Sequence, residues 1–307
     1  MIWMTWRQHR AEALAATGVI AVLIAVFLVL GHDLHTAFHQ DGLGGCLNSG
    51  QLCDPSAFLN RSSVTMYGLI PFLNLLPALV GAFVFAPLMA REAEQGTWRL
   101  AWTQGTPRRR WLAVKLAVTL PAAVVLTVLF SVAFTWYHQP IDRLKGHFDS
   151  DAFNFEGLSL PTLTLFAAGF GLLAGVLLRR TVLAALLTLV ATLLARPLVQ
   201  NGLRPHYEAP VTGSHTTGHQ DWVLSATTLD SHGHRLSRAA AQQLALRART
   251  SGGDSKRWLL DHGYHQAVNY QPGNRYWTFQ LIEGGIFTLA AAVLIGLAAW
   301  QLRRRFR

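Results

Sequence analysis

The sequence predicts an all-α polytopic membrane protein: six transmembrane helices, both termini cytoplasmic, and a partly helical extracellular segment between helices five and six. Three observations lead there. Of 307 residues, 51% are hydrophobic and only 14% are charged, whereas a soluble domain averages about 25% charged. The missing charge is concentrated in six stretches that hold most of the Leu, Val, Ala and Phe, each close to the roughly 20 apolar residues a helix needs to cross a bilayer. Arginine and lysine are also divided unequally between the segments joining those stretches. A soluble fold, a secreted disulfide scaffold and a disordered chain are thereby excluded.

The six stretches are residues 11–30, 64–90, 111–137, 160–178, 182–199 and 276–302. The first is too long for a signal peptide and no A-x-A-like site follows it, so it reads as a retained anchor. The second carries Pro71, Pro77 and Pro87 and the third Pro121. Bilayer helices tolerate such residues because neighbouring helices re-satisfy the freed backbone groups. They predict kinks, which serve either as plain bends or as a bendable segment for transport. Only Arg179-Arg180-Thr181 separates the fourth stretch from the fifth, which predicts a tight hairpin. Three regions result. Residues 1–199 hold spans one to five with an N-terminal interfacial helix and the loop 91–110. Residues 200–275 are the extracellular segment, and 276–307 are span six with a basic cytoplasmic tail.

The formal charge of +10 first suggests nucleic acid, but its distribution argues otherwise. With the N-terminus inside, and Glu12 and Lys115 added to that side as interfacial, the cytoplasmic segments hold 14 basic residues against three acidic ones, and the outer segments 11 against 12. The excess is a positive-inside signal, so the expected partner is the lipid bilayer of the cell membrane, in a multi-pass arrangement, and not nucleic acid. Cys46 and Cys53 share one outer loop, and in an oxidising compartment they are expected to form a disulfide.

Residues 236–249 and 255–262 read as short helices of the extracellular segment, the second with Trp258 and Leu259 as its apolar face. His32, His35 and His39, and the group His215, His219, His232 and His234, invite a metal reading. They are read instead as solvated loop residues, so no metal site is expected. Polar groups inside a membrane usually mark function. Arg196 lies near the outer end of span five, where it can snorkel to the headgroups. Glu283, about two turns inside span six, is expected to face the bundle and pair with Arg196 or Arg275, or to meet a cationic substrate. Asn74, mid-span two, needs a partner in the bundle or at a subunit seam.

No phosphate-binding Gly-x-x-x-x-Gly-Lys-Ser/Thr, Gly-x-Ser-x-Gly, His-Glu-x-x-His or Cys-x-x-Cys motif occurs. Nucleotide binding by the first mechanism and catalysis by the others are unsupported. The loop between spans two and three places Trp98 and Trp102 at i, i+4 on one helical face, with Gly96 able to end a helix and Thr106-Pro107 to begin one. Its arginines also obey the topology rule, and its tryptophans also suit an interfacial anchor. The run Arg91-Glu92-x-Glu94-x-Gly96-Thr97, followed by Arg108-Arg109-Arg110-Trp111 and Lys115, resembles the cytoplasmic loop of permease subunits of ABC transporters of the second exporter class. The six-span layout and an N-terminal segment bearing Trp3, Trp6, Arg7 and Arg10 resemble that family too. The segment from Tyr270-Gln271-Pro272 through Arg275-Tyr276-Trp277 to Phe279-Gln280 and Glu283 is similar to one in actinobacterial permease-like proteins.

The resemblance implies a transport subunit that is not itself an enzyme and needs no cofactor, its ATP being bound by a separate ABC ATPase subunit. A second permease copy or homologue completes the pathway. Glu92, Glu94, Gly96, Thr97, Trp98, Trp102 and Arg108 would couple ATP hydrolysis to export of a small molecule, peptide or lipid. The competing reading is a membrane-anchored sensor or signalling protein whose segment 200–275 binds a ligand.

Overall fold

The computed structural model describes residues 2–49, 54–96, 108–213, 220–250 and 255–305. Six helices are long and apolar enough to cross a membrane: Leu14–Gln40, Ile70–Gln95, Trp111–Lys145, Ser159–Leu178, Thr181–His206 and Gly273–Arg304. They are spans one to six below. Each overlaps its expected stretch, but the ends differ. The first helix is continuous from Ile2 to Gln40, so the interfacial helix expected at the N-terminus is not a separate element. At 1.5 Å per residue that helix is about 58 Å long, far more than the roughly 30 Å hydrocarbon core. The third helix runs from Arg108 to Lys145, well past Tyr137, where the apolar run ends.

Span two is the irregular one, and its prolines say why. Short helices start at Ile70, Leu76 and Ala86, each with a proline at the second position: Pro71, Pro77 and Pro87. Proline cannot donate a backbone hydrogen bond and crowds the carbonyl four residues earlier, yet it fits the first turn of a helix. The chain therefore restarts at each one. Ahead of Pro87, residues Gly81–Phe85 widen into a π-helix, which relieves the clash that a tighter turn would impose.

Span four is the hub, packed against spans two, three, five and six. Its small residues admit the backbone of span two. A Cβ on Gly171 would lie 2.6 Å from the Gly81 carbonyl oxygen, and one on Gly175 would lie 2.6 Å from that of Ala86. This Gly-x-x-x-Gly stripe gives close van der Waals contact, the main source of helix association where no hydrophobic drive exists. Span one packs on span three through an aromatic core of Phe27, Phe130, Phe134 and Tyr137, joined by Phe58 of the helix Ser56–Gly68 and by Phe155. Phe27 meets Phe130 and Phe134 edge-on at 5.7 and 5.3 Å, a favoured aromatic geometry.

The segment between spans five and six corrects the all-α expectation. Its helices Arg238–Thr250 and Ser255–Asp261 match the expected pair, but it also holds an antiparallel sheet of β1 (Val211–Gly213), β2 (Trp222–Leu229) and β3 (His265–Gln271) in the order β1-β3-β2. Val223 and Thr212 pair with Tyr270 and Asn269 of the central strand. Pro272 ends β3 because it has no N–H for the ladder. The Gly273 N–H is held by Asp221 Oδ1 at 2.9 Å. The sheet is thus tied directly to the start of span six.

Candidate functional site

At the loop end of the bundle, Gly96 closes the last helix of span two in the left-handed conformation, with φ +69°. Among the described residues nothing lies within 4 Å of a Cβ built there. Gly96→Ala therefore meets only the backbone penalty of about 1–2 kcal/mol. We expect a fall of a few degrees in the melting midpoint, and a smaller fall for Gly96→Asn. Equal midpoints for Gly96→Ala and the unaltered chain would contradict this role.

Glu92 and Glu94 both engage partners within the chain. Glu92 pairs with the buried Lys115 of span three, whose ammonium also lies 4.4 Å from the centre of the Trp111 ring. Glu94 Oε2 accepts hydrogen bonds from the Thr181 N–H and hydroxyl at 3.1 and 2.7 Å. It thereby caps the start of span five, where a negative charge also complements the helix dipole. Spans two, three and five are thus joined where the loop leaves span two. Thr97, Trp98 and Trp102 lie outside the described residues, and of Arg108 only the backbone is described.

The opposite end, under the appendage, carries a buried polar network. Asn74, Arg196 and Glu283 all take part: Asn74 finds its partner inside the bundle, as expected, while Arg196 and Glu283 depart from their expected arrangements. Arg196 does not snorkel. It is buried and donates to Asn74 Oδ1 and, at 3.0 Å, to the Asn154 carbonyl. Glu283 pairs with neither Arg196 nor Arg275. Its partner is Arg204, bound through both carboxylate oxygens at 2.9 Å, with the two side chains 3% and 2% exposed. The turn Val199–Leu203 brings Arg204 inward, a position that no apolar periodicity reveals.

Ser159 donates to Glu283 Oε1 at 3.1 Å, and Asn154 Oδ1 accepts from Arg204 at 3.0 Å. The Arg204 guanidinium covers the Phe153 ring at 3.9 Å. Gln280, fully buried, accepts from the N–H groups of Leu158 and Ser159 at 3.1 and 3.0 Å and donates to the Phe153 carbonyl at 2.9 Å. Gln271, also fully buried, donates to the Glu208 carbonyl at 2.8 Å. Arg275 bonds Gln271 and Glu208 at 2.7 Å each. The polar residues of the segment 271–283 singled out in the sequence thus lock spans four, five and six to the appendage.

A second polar group sits beside the first and was missed in the sequence. His138 and Asp142, one turn apart on span three, are 0% and 2% exposed and meet at 2.7 Å. Gly146, at φ +82°, turns the chain back so that His147 Nδ1 lies 3.2 Å from Glu156 Oε2. Burial works to raise the Glu156 carboxyl, but the His138 and His147 imidazoles beside it outweigh that and hold it below its ordinary value. The bond to Glu156 in turn raises the His147 imidazole above its own. The spacing His138–Asp142 was the available sequence signal, and it lay just past the end of an apolar run.

Among the described residues, the earlier histidines do not form a comparable cluster. His35 stacks on Trp136 at 4.9 Å and bonds its carbonyl at 2.9 Å. The backbone N–H groups of His232 and His234 both bond Asp230. His215 and His219 lie outside the described residues. Cys46 carries no free thiol, and its expected partner Cys53 is also outside them.

Comparison with curated proteins and with solved structures found no match. A family model, ABC-2 membrane transporter related, matches residues 17–204. That stretch takes in nearly all of the first five spans, the loop end and both arginines of the buried network, and the chain belongs to this family.

Proposed function

We propose that this chain is the membrane-spanning permease subunit of an ATP-driven exporter of the cell membrane, with both termini cytoplasmic and ATP bound by a separate ABC ATPase subunit. The observation that carries the reading is the family match across five spans. Membrane components of this family imply an ATPase partner. The loop end supports it physically. An element seated on the ATPase would move spans two, three and five together, because Glu92–Lys115 and Glu94–Thr181 join them.

A second permease copy or homologue completes the pathway. An apolar groove of about 790 Å³ lies between spans one, two and five, with Val19, Leu79, Phe83 and Leu186 among its walls. Span five presents Val182, Leu186 and Leu194 outward, as a face that meets lipid or another subunit would. The test is co-expression with the ATPase of the neighbouring open reading frame. Trp98→Asp and Glu92→Arg are expected to abolish ATPase co-purification while leaving the permease in the membrane. Intact pull-down from both variants would remove the coupling assignment.

A further inference from the structure

The group around His138 has a feature that hydrogen bonding leaves unexplained. Asp142 Oδ2 and Glu156 Oε1 are fully shielded from solvent and have no hydrogen-bond partner among the described residues, and His138 Nε2 shares that state. Two carboxylates buried together repel one another, and each orphaned oxygen forfeits its hydration. Such an arrangement persists when something positive lies between the groups.

The separations identify what fits. His138 Nδ1 lies 3.4 Å from Glu156 Oε1, and His147 Nδ1 lies 3.6 Å from Asp142 Oδ2 and 3.2 Å from Glu156 Oε2. Donors bound tetrahedrally to one zinc ion at 2.0–2.1 Å stand about 3.3 Å apart. One donor atom each from His138, Asp142 and Glu156 falls within 4.8 Å of the other two; His147 stands outside this set, beside Asp142 and Glu156, and would swing inward to become the fourth ligand. As ligands of a metal both imidazoles are neutral, and the four side chains then carry two negative charges, which one divalent cation cancels. Two nitrogens with two carboxylate oxygens suit zinc better than magnesium or calcium, which favour all-oxygen sets.

There is also a way in. A cavity of about 760 Å³ opens onto Asp142, His147 and Glu156, walled by Gln220 and Tyr276 of the appendage side. His147 is 41% exposed at its rim, while the other three are enclosed. Gly146 and Gly157 sit at positive φ on either side of His147 and Glu156, and these turns fold the two residues back onto span three.

We propose that His138, Asp142, His147 and Glu156 form a binding site for one divalent transition-metal ion, of which zinc is the best match. The ion would fasten the connection between spans three and four to the end of span three. The inference stands independently of the transport reading.

The test uses full-length, tag-free protein in detergent, stripped with a chelator and dialysed against zinc chloride, with bound metal read by mass spectrometry and affinity by a chromophoric competitor. One zinc per chain is expected, together with a rise in the melting midpoint on adding zinc. Glu156→Gln and Asp142→Asn should lose the bound ion, and His147→Gln should bind at least 10-fold more weakly. His32→Gln, in a different part of the fold, should leave stoichiometry unchanged. Should the two carboxylate variants not fold, His147→Gln at the rim decides the matter. A wild-type chain that retains no zinc, or a His147→Gln variant that binds as tightly as wild type, would overturn the proposal and leave the group a hydrogen-bonded ion-pair cluster only.

Discussion

Arg204→Ala is expected to lower the melting midpoint in detergent by on the order of 10 °C, or to prevent folding. The substitution strands Glu283, 2% exposed and otherwise held by Arg204 through both oxygens at 2.9 Å. Breaking a buried pair from one side costs about 3–5 kcal/mol, because an uncompensated charge stays behind. It also strips Asn154 Oδ1 of a donor. Arg204→Lys keeps the charge but not the planar fork, so it should fall between the two. Replacing both partners, Arg204→Met with Glu283→Leu, should recover much of the loss, since a matched apolar pair leaves no bare charge. Thermal unfolding read by size-exclusion chromatography checks all three. An Arg204→Ala chain that melts within a degree of wild type would show that the pair carries no structural weight.

The second large effect concerns the stripe on span four. In an ordinary helix Gly→Ala gains about 0.5–1 kcal/mol from reduced backbone freedom. At Gly175 the sign reverses. The new Cβ meets the Ala86 carbonyl oxygen at 2.6 Å and the Ala90 nitrogen at 3.2 Å, and backbone atoms cannot rotate aside. Overpacking of this kind costs about 1–3 kcal/mol, and Gly175→Val should exceed Gly175→Ala. Gly285 of span six, with nothing within 4 Å of a built Cβ, is the control, and Gly285→Ala should be neutral or slightly stabilising. Melting midpoints of the three variants measure the contrast. A Gly175→Val chain as stable as Gly285→Ala would remove the close-approach argument.

The spans were readable because apolar runs of bilayer length are set by composition alone. Their ends were not, because a helix continues wherever backbone bonds and packing allow. Span three runs on through His138 and Asp142 to Lys145, with Ile141 buried against the aromatic core. The motif leading to Glu283 was visible in the sequence as a polar cluster beside a span. Its partner was not, since Arg204 is 79 residues away and the inward turn at 199–203 leaves no periodic trace. Likewise, His138 and Asp142 lie at helical spacing, but their meeting with His147 and Glu156 depends on two glycine turns whose direction the sequence does not display. The sheet escaped notice because β3, the central strand, reads His-Gln-Ala-Val-Asn-Tyr-Gln without apolar alternation.

The restarts at Pro71, Pro77 and Pro87 make span two a linkage of short rods, not a piston. A displacement applied at Gln95 would be shared among several hinges, so the rod ending at Gln95 would swing furthest. The helix before Gly68, anchored by Phe58 in the ring stack, would move least. Large movement at one face and a quiet opposite face are therefore compatible in a single crossing.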